Sequence, residues 1–175
     1  MLEIDRVLQG VEVRPADPAD SAAILGLLEQ MDSDDGGDRC GELSVAVIAD
    51  RLTAPASTSA AFVAYREEEM VGLVVYRRSH ATFGSRASLH IDDLYVAPQW
   101  RTQGLGRELV RQVARVAKFR KVSRVTWNVS VSNERAIRFY RDLGANLSDG
   151  SLFCWFDEHA LAALLDEGPL LPPSQ

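Results

Sequence analysis

Apolar residues along this 175-residue chain switch repeatedly between a period of two and a period near 3.6, and the switches divide it into elements. Val11–Arg14 alternates as a strand does. Further on, Ile24, Leu27, Leu28 and Met31 fall at i, i+3, i+4 and i+7, which makes one buried helix face. Asp17 is placed to cap that helix, with Pro18 at its first position and Asp20 in its first turn. Asp32–Gly41 is acidic, glycine-rich and without period, so an exposed connector is predicted there. A short helix follows from Val45 to Thr53, capped by Ser44 and stopped before Pro55.

Ser59–Arg66 and Met70–Arg78 read as two strands of a hairpin joined at Glu67–Glu69. Ala87–Pro98 is a further strand, closed by its proline. The helix after it carries Leu105, Leu109, Val113, Val116 and Ala117 on its apolar face, while Arg107, Glu108, Arg111, Arg115 and Lys118 occupy its other sides. Arg124–Val129 is a strand, and the helix in Ser132–Gly144 takes Asn133 or Ser132 as cap and Gly144 as stop. A last strand at Ser151–Phe156 and a terminal helix at Asp157–Leu165 complete the pattern. The order is mixed α/β. One domain is expected over residues 11–166, between an N-terminal arm (1–10) and a loose proline-rich tail (167–175).

Composition narrows the function only a little. Hydrophobic residues make up 46% and charged residues 25%, as in ordinary globular proteins, and the net charge is -6. That acidity disfavours a nucleic-acid partner and suits a cationic small molecule. The N-terminus lacks the pattern of a secretory signal and no run is long enough to cross a bilayer, so a reducing cytoplasm is the expected setting. Cys40 and Cys154 lie far apart without metal-ligand spacing, so they are expected to be unrelated thiols and no metal site is expected.

The chemistry concentrates at "QWRTQGLGRELVRQV", residues Gln99 to Val113. A strand, a glycine turn and a helix in immediate succession gather unpaired backbone N–H groups at the positive end of a helix dipole, which favours a phosphate. Arg101 and Arg107 flank the turn and suit a pyrophosphate. The spacing is neither Walker A, since Arg107 and Glu108 follow Gly106, nor Rossmann, since Leu109 stands where a third glycine is required.

Two linked patterns do fit: Arg101-x-x-Gly104-x-Gly106, and some thirty residues later Asn133, Ala136, Phe139 and Tyr140 within "NERAIRFYRDLGA". Together with the order of elements they make Val11–Trp155 resemble the GNAT superfamily of acetyl-coenzyme A dependent N-acetyltransferases. Within it, "LHIDDLYV", "NVSVSNERAIRFYRDLGA" and "LFCWFDEHALAAL" look most like the diamine group, which acts on spermidine, spermine or thialysine. The resemblance implies a mixed, mostly antiparallel central sheet flanked by helices, acetyl-coenzyme A as co-substrate, a small-molecule amine as acceptor and a homodimer.

The same resemblance implies roles for residues. The turn Arg101, Thr102, Gln103, Gly104, Leu105, Gly106 and Arg107 would wrap the pyrophosphate, the backbone of Leu94, Tyr95 and Val96 would pair with the pantetheine arm, and Asn133, Ala136 and Phe139 would touch the cofactor. Tyr140 matches the family's general acid. Strand alternation sets His90, Asp92, Leu94 and Val96 on one face, and Ile91, Asp93 and Tyr95 on the other. A primary ammonium must lose a proton before it attacks, which makes Asp92 the preferred base, directly or through water, with His90 in reserve. Asp92 stands where the diamine group usually has glutamate. Asp93, Trp127 and Asn128 are expected near the amine. The alternatives are an aminoglycoside or peptide amine as acceptor, or an acyl-coenzyme A binding regulator without turnover.

Overall fold

The computed structural model describes residues 8, 10–34, 36–37, 43–53, 57–80, 87–147, 152–156 and 158–165. Most of the N-terminal arm, Cys40 with part of the acidic connector, Pro55, Asp157 and the tail after Leu165 lie outside these residues. The described elements form a mixed sheet with the hydrogen-bonded order β1-β2-β3-β4-β5-β7-β6, flanked by helices. The chain divides into two compact units, and β3, β4 and helix α3 contribute residues to each.

The first unit takes residues up to Val75 and Asp93–Leu109. Strand β1 (Val11–Pro15) pairs antiparallel with β2 (Ser59–Arg66), in register from Val11↔Arg66 to Pro15↔Phe62. Helix α1 (Ser21–Asp34) is entered through a 3-10 turn, Pro18–Asp20, whose capping is reciprocal. Asp17 accepts the Ala19 N–H at 2.8 Å, and Asp20 accepts the Asp17 N–H at 2.8 Å. Helix α2 (Val45–Thr53) opens where Ser44 Oγ accepts the Val47 N–H at 3.3 Å. β2 turns through Glu67 and Glu68 into β3 (Glu69–His80).

Ile24, Leu27 and Leu28 of α1, Ile48 of α2, and Val63 and Leu73 of the strands bury against one another, as the helical and strand periods require. Asp20, 3% exposed, sits beside this core with its charge satisfied. Arg14 grips it with two nitrogens at 2.7 and 2.8 Å, Tyr65 donates its hydroxyl at 2.9 Å, and the Arg14 guanidinium lies over the Tyr65 ring at 5.1 Å. Burial alone would raise the Asp20 carboxyl, but the bonds from Arg14, the Asp17 amide and Tyr65 outweigh it and hold the carboxyl below its ordinary 3.8.

Also in this unit are the C-terminal residues of β4 (Ala87–Val96), the 3-10 turn Pro98–Trp100 and the start of α3 (Leu105–Phe119). The Ala97 N–H donates to Val71 O at 3.0 Å. Gly72 of β3 is a point of close approach. A Cβ there would meet Leu109 Cδ1 at 3.2 Å, Tyr95 O at 3.3 Å and Leu105 Cδ2 at 3.4 Å.

The second unit takes Tyr76–Asp92 and residues from Val110 on. β4 pairs in parallel with β5 (Val125–Val129) at Leu89↔Val125 and His90↔Thr126. β5 pairs antiparallel with β7 (Leu152–Phe156), in register from Val125↔Phe156 to Val129↔Leu152, and β6 (Asn146–Leu147) pairs antiparallel with β7. Helices α4 (Glu134–Asp142) and α5 (Glu158–Leu165) complete the unit.

Three expectations change. Helix α1 runs on through Asp34, so Asp32–Asp34 are helical and Asp32 is buried, where an exposed connector was predicted. Helix α3 is buried more widely than its apolar stripe suggests: Arg111, Gln112 and Arg115 are buried too. Arg111 Nε donates to Leu164 O at 3.0 Å, so the end of α5 covers a side that the charge pattern marked as polar. The two-residue β6 had no counterpart in the periodicity.

Candidate functional site

The glycine turn holds two residues in the left-handed region, Thr102 at φ 64° and Gly104 at φ 84°. Only a residue without Cβ takes that conformation freely, so Gly104 is glycine for the backbone's sake. Its carbonyl accepts the Glu108 N–H at 3.0 Å, the first rung of α3. The amides of Leu105, Gly106 and Arg107 therefore precede the helical ladder, at the positive end of a 15-residue helix. Glycine at the cap position leaves those donors without a capping side chain of its own. Thr102 Oγ1 donates to Arg101 O at 2.6 Å, and Gln103 Nε2 to Gln99 O at 2.8 Å.

Arg101 faces back from this turn. Its Nε donates to Val96 O at 2.8 Å and an Nη to Asp34 Oδ2 at 2.6 Å, while its guanidinium lies 5.3 Å from the centre of the Tyr95 ring. Tyr95 donates its hydroxyl to the same Asp34 oxygen at 2.9 Å, and burial followed by that bond raises the phenol's pKa. The sequence pattern places Asp34 in the exposed acidic connector. Only its place in the last turn of α1 brings it to Tyr95 and Arg101.

Along β4, Leu89, Ile91 and Tyr95 are buried, while His90, Leu94 and Val96 are half-buried and Asp92 is exposed, as strand alternation requires. Asp93 is half-buried. Arg77 Nε donates to Asp92 Oδ1 at 2.8 Å, a pairing that the sequence did not indicate. His90 Nδ1 lies 2.8 Å from Thr126 Oγ1, and that hydroxyl directs its own proton to Leu89 O at 3.4 Å. Burial is the main effect on His90; it overrides the neighbouring Asp92 charge and lowers the imidazole below its ordinary 6.5.

Helix α4 begins at Asn133, whose side chain accepts the Ala136 N–H at 3.0 Å, so Asn133 rather than Ser132 is the cap. One turn and three residues further on, Tyr140 is 8% exposed. Its ring packs on Trp127 with centroids 4.8 Å apart and on Phe139 at 5.1 Å, and Trp127 also meets Phe156 at 5.0 Å. Burial, with a smaller contribution from Cys154, raises the Tyr140 phenol well above 10, so the hydroxyl keeps its proton at any working pH. Ala136 is half-buried and Asn128 exposed. Trp127 is an aromatic core residue, 1% exposed, and its Nε1 has no hydrogen-bond partner among the described residues. Cys154 is buried.

The structure thus gathers Tyr95 and Arg101 around Asp34 in the first unit, and in the second it pairs Asp92 with Arg77, His90 with Thr126, and Tyr140 with Trp127. Among the described residues, no helix is long and apolar enough to cross a membrane.

A glycine turn opening a helix after a strand, with a capped helix bearing a buried tyrosine later in the chain, defines a class. Residues 27–145 match the acetyltransferase (GNAT) family. The chain belongs to that family. It is 34% identical over 79 residues to a thialysine N-epsilon-acetyltransferase of Caenorhabditis elegans, covering 45% of this chain and 49% of the relative. The same enzyme of Mus musculus is 30% identical over 121 residues, covering 67% and 66%. The chain therefore spans about half to two thirds of the length of these relatives. In fold it resembles the PaiA N-acetyltransferase of Thermoplasma acidophilum in complex with coenzyme A, with a TM-score of 0.69 at 12% identity over 84% of this chain and 98% of the other.

Proposed function

We propose that this protein transfers the acetyl group of acetyl-coenzyme A to a primary amine of a small lysine-like or polyamine-like molecule. The observation that carries the proposal is the Gly104 turn, which opens α3 at Leu105, so that the amides of Leu105, Gly106 and Arg107 would serve as a cradle for an anion. Family membership supports it, and the thialysine relatives favour an amine on a lysine-like chain. Arg101–Arg107 would hold the pyrophosphate, and the backbone of Leu94, Tyr95 and Val96 the pantetheine. Asn133, Ala136 and Phe139 would complete the cofactor contacts.

Acetyl-coenzyme A supplies the activated acyl carbon as a thioester. Of the chain's residues, Asp92 accepts the ammonium proton, directly or through a water, leaving a lone pair to form the new C–N bond. By family resemblance Asp93, Trp127 and Asn128 would contact the amine. Tyr140 gives its proton to the sulfur as the C–S bond breaks; its hydroxyl is protonated at rest, and the burial that keeps it so also makes it a weaker acid, so its transfer relies on placement beside the sulfur.

One observation favours His90 instead of Asp92 as the base: Asp92 is paired with Arg77, while burial lowers the pKa of His90 and favours its neutral, proton-accepting form. The function is tested by following thiol release from acetyl-coenzyme A with a panel of thialysine, lysine, polyamines, aminoglycosides and short peptides. Turnover on lysine-like or polyamine substrates bears it out, whereas coenzyme binding without turnover on any of them leaves a regulator. A homodimer is part of the proposal, to be checked by sedimentation.

A further inference from the structure

We propose that Asp34, the last residue of α1, is a positioning residue for the coenzyme A turn, acting through Arg101; the inference rests on the proposed function. Arg101 has four side-chain torsions, and three contacts fix them. Its Nε bonds Val96 O, its Nη bonds Asp34 Oδ2, and its guanidinium covers the Tyr95 ring. Asp34 Oδ2 also accepts the Tyr95 hydroxyl, so one carboxylate oxygen ties together the end of β4 and the start of the turn.

The Nε bond closes a loop of chain from Val96 to Arg101, and the Arg101 N–H closes it again on Pro98 O at 3.3 Å. The backbone leaves this loop extended at Arg101, with φ -70° and ψ 160°, and at once enters the left-handed residue Thr102. A threonine is strained in that region, and strain persists only where the surroundings fix it. The Asp34–Arg101 clamp is the fixed point on the upstream side. Released from it, Thr102 relaxes and the amides of Leu105, Gly106 and Arg107 no longer converge.

Charge alone predicts the opposite. A carboxylate beside an anion-binding turn repels the ligand, so its removal would tighten binding if Asp34 did nothing else. The sign of the effect therefore decides the matter.

The experiment is calorimetric titration of coenzyme A into the full chain and its variants, with thermal melting to confirm folding. Asp34→Ala is expected to raise Kd about tenfold or more, the equivalent of one charge-assisted hydrogen bond. At saturating acetyl-coenzyme A, its kcat stays within about threefold, because a group that acts on binding leaves the transition state untouched. Asp34→Ala combined with Arg101→Ala is expected to bind no worse than Arg101→Ala alone, as two halves of one clamp must. If Asp34→Ala does not fold, Tyr95→Phe and Asp34→Asn carry the test with smaller losses of the same sign. Unchanged or tighter binding in the folded variants, or losses that multiply in the double variant, overturns the assignment. A parent chain that binds no coenzyme A overturns the proposed function and the assignment with it.

Discussion

Arg77 Nε donates to Asp92 Oδ1 at 2.8 Å, and two residues back along the strand His90 Nδ1 faces Thr126 Oγ1 at the same distance. The pairings give the two candidate bases different characters. The carboxylate is bound to a cation, whereas burial favours the neutral form of the imidazole. Asp92→Asn is expected to lower kcat/KM by about 10² or more near neutrality, with the loss shrinking as pH approaches the amine's own pKa. His90→Gln should cost less than about threefold, below any general-base contribution. Rate profiles against pH for both variants check this. The reverse ranking would transfer the base to His90.

Tyr140→Phe keeps the ring against Trp127 and Phe139 and removes one oxygen. The expected outcome is a kcat lower by about 10² to 10⁴ with coenzyme A affinity unchanged, since the hydroxyl acts only as the thiolate leaves. Steady-state kinetics with calorimetry separates the two quantities. A kcat within about threefold of the parent would make Tyr140 a packing residue.

Gly104→Val places a branched side chain at φ 84°. Such a residue costs about 1–2 kcal/mol in the left-handed region, and the turn escapes that cost by changing shape. The variant is expected to fold, with a modestly lower melting temperature, and to lose measurable coenzyme A binding. Parent-like affinity in a folded variant would remove the turn from the cofactor site.

Asp20 sets an acid limit on stability. Because its folded carboxyl lies below the ordinary 3.8, the stability it adds is fully present above that value and is lost as pH falls through the folded pKa. Asp20→Asn is expected to cost about 1–3 kcal/mol at neutral pH, because it removes the charge from the two-nitrogen pairing with Arg14 and from the bond to Tyr65, and the gap to the parent should narrow below about pH 4. His90 adds a second slope. With its folded pKa below 6.5, the unfolded chain binds the extra proton first, so stability rises with pH through the window beneath 6.5. His90→Gln should flatten that slope. Urea titrations across the pH range read both effects.

What could be seen in the sequence was what is encoded locally. Ile24, Leu27 and Leu28 announce their helix through spacing, Asn133 its cap through chemistry, and Gly104 its turn through the absence of a side chain. What stayed hidden depends on distant partners. Asp34 meets Arg101 across 67 residues, Arg77 meets Asp92 across 15, and Arg111 is buried because the end of α5 returns to cover it. No period marks these. Trp127 in its strand reads as channel wall or as core, and its 1% exposure is something no period along β5 announces. β6, at two residues, is too short to show any alternation.

Gly72 gives the strand a thickness of one hydrogen beneath the first two turns of α3. Leu105 and Leu109 rest within 3.2–3.4 Å of where a methyl would stand, so even alanine would lift them by a few tenths of an ångström. The helix they belong to begins at the very amides offered to the ligand. Under the proposed reading β3 would act as a gauge block: the seating of the first turns of α3, and with it the proposed cofactor turn, depends on a missing side chain in a different strand. Selection for tight coenzyme binding would then act on a position that bears no chemistry at all.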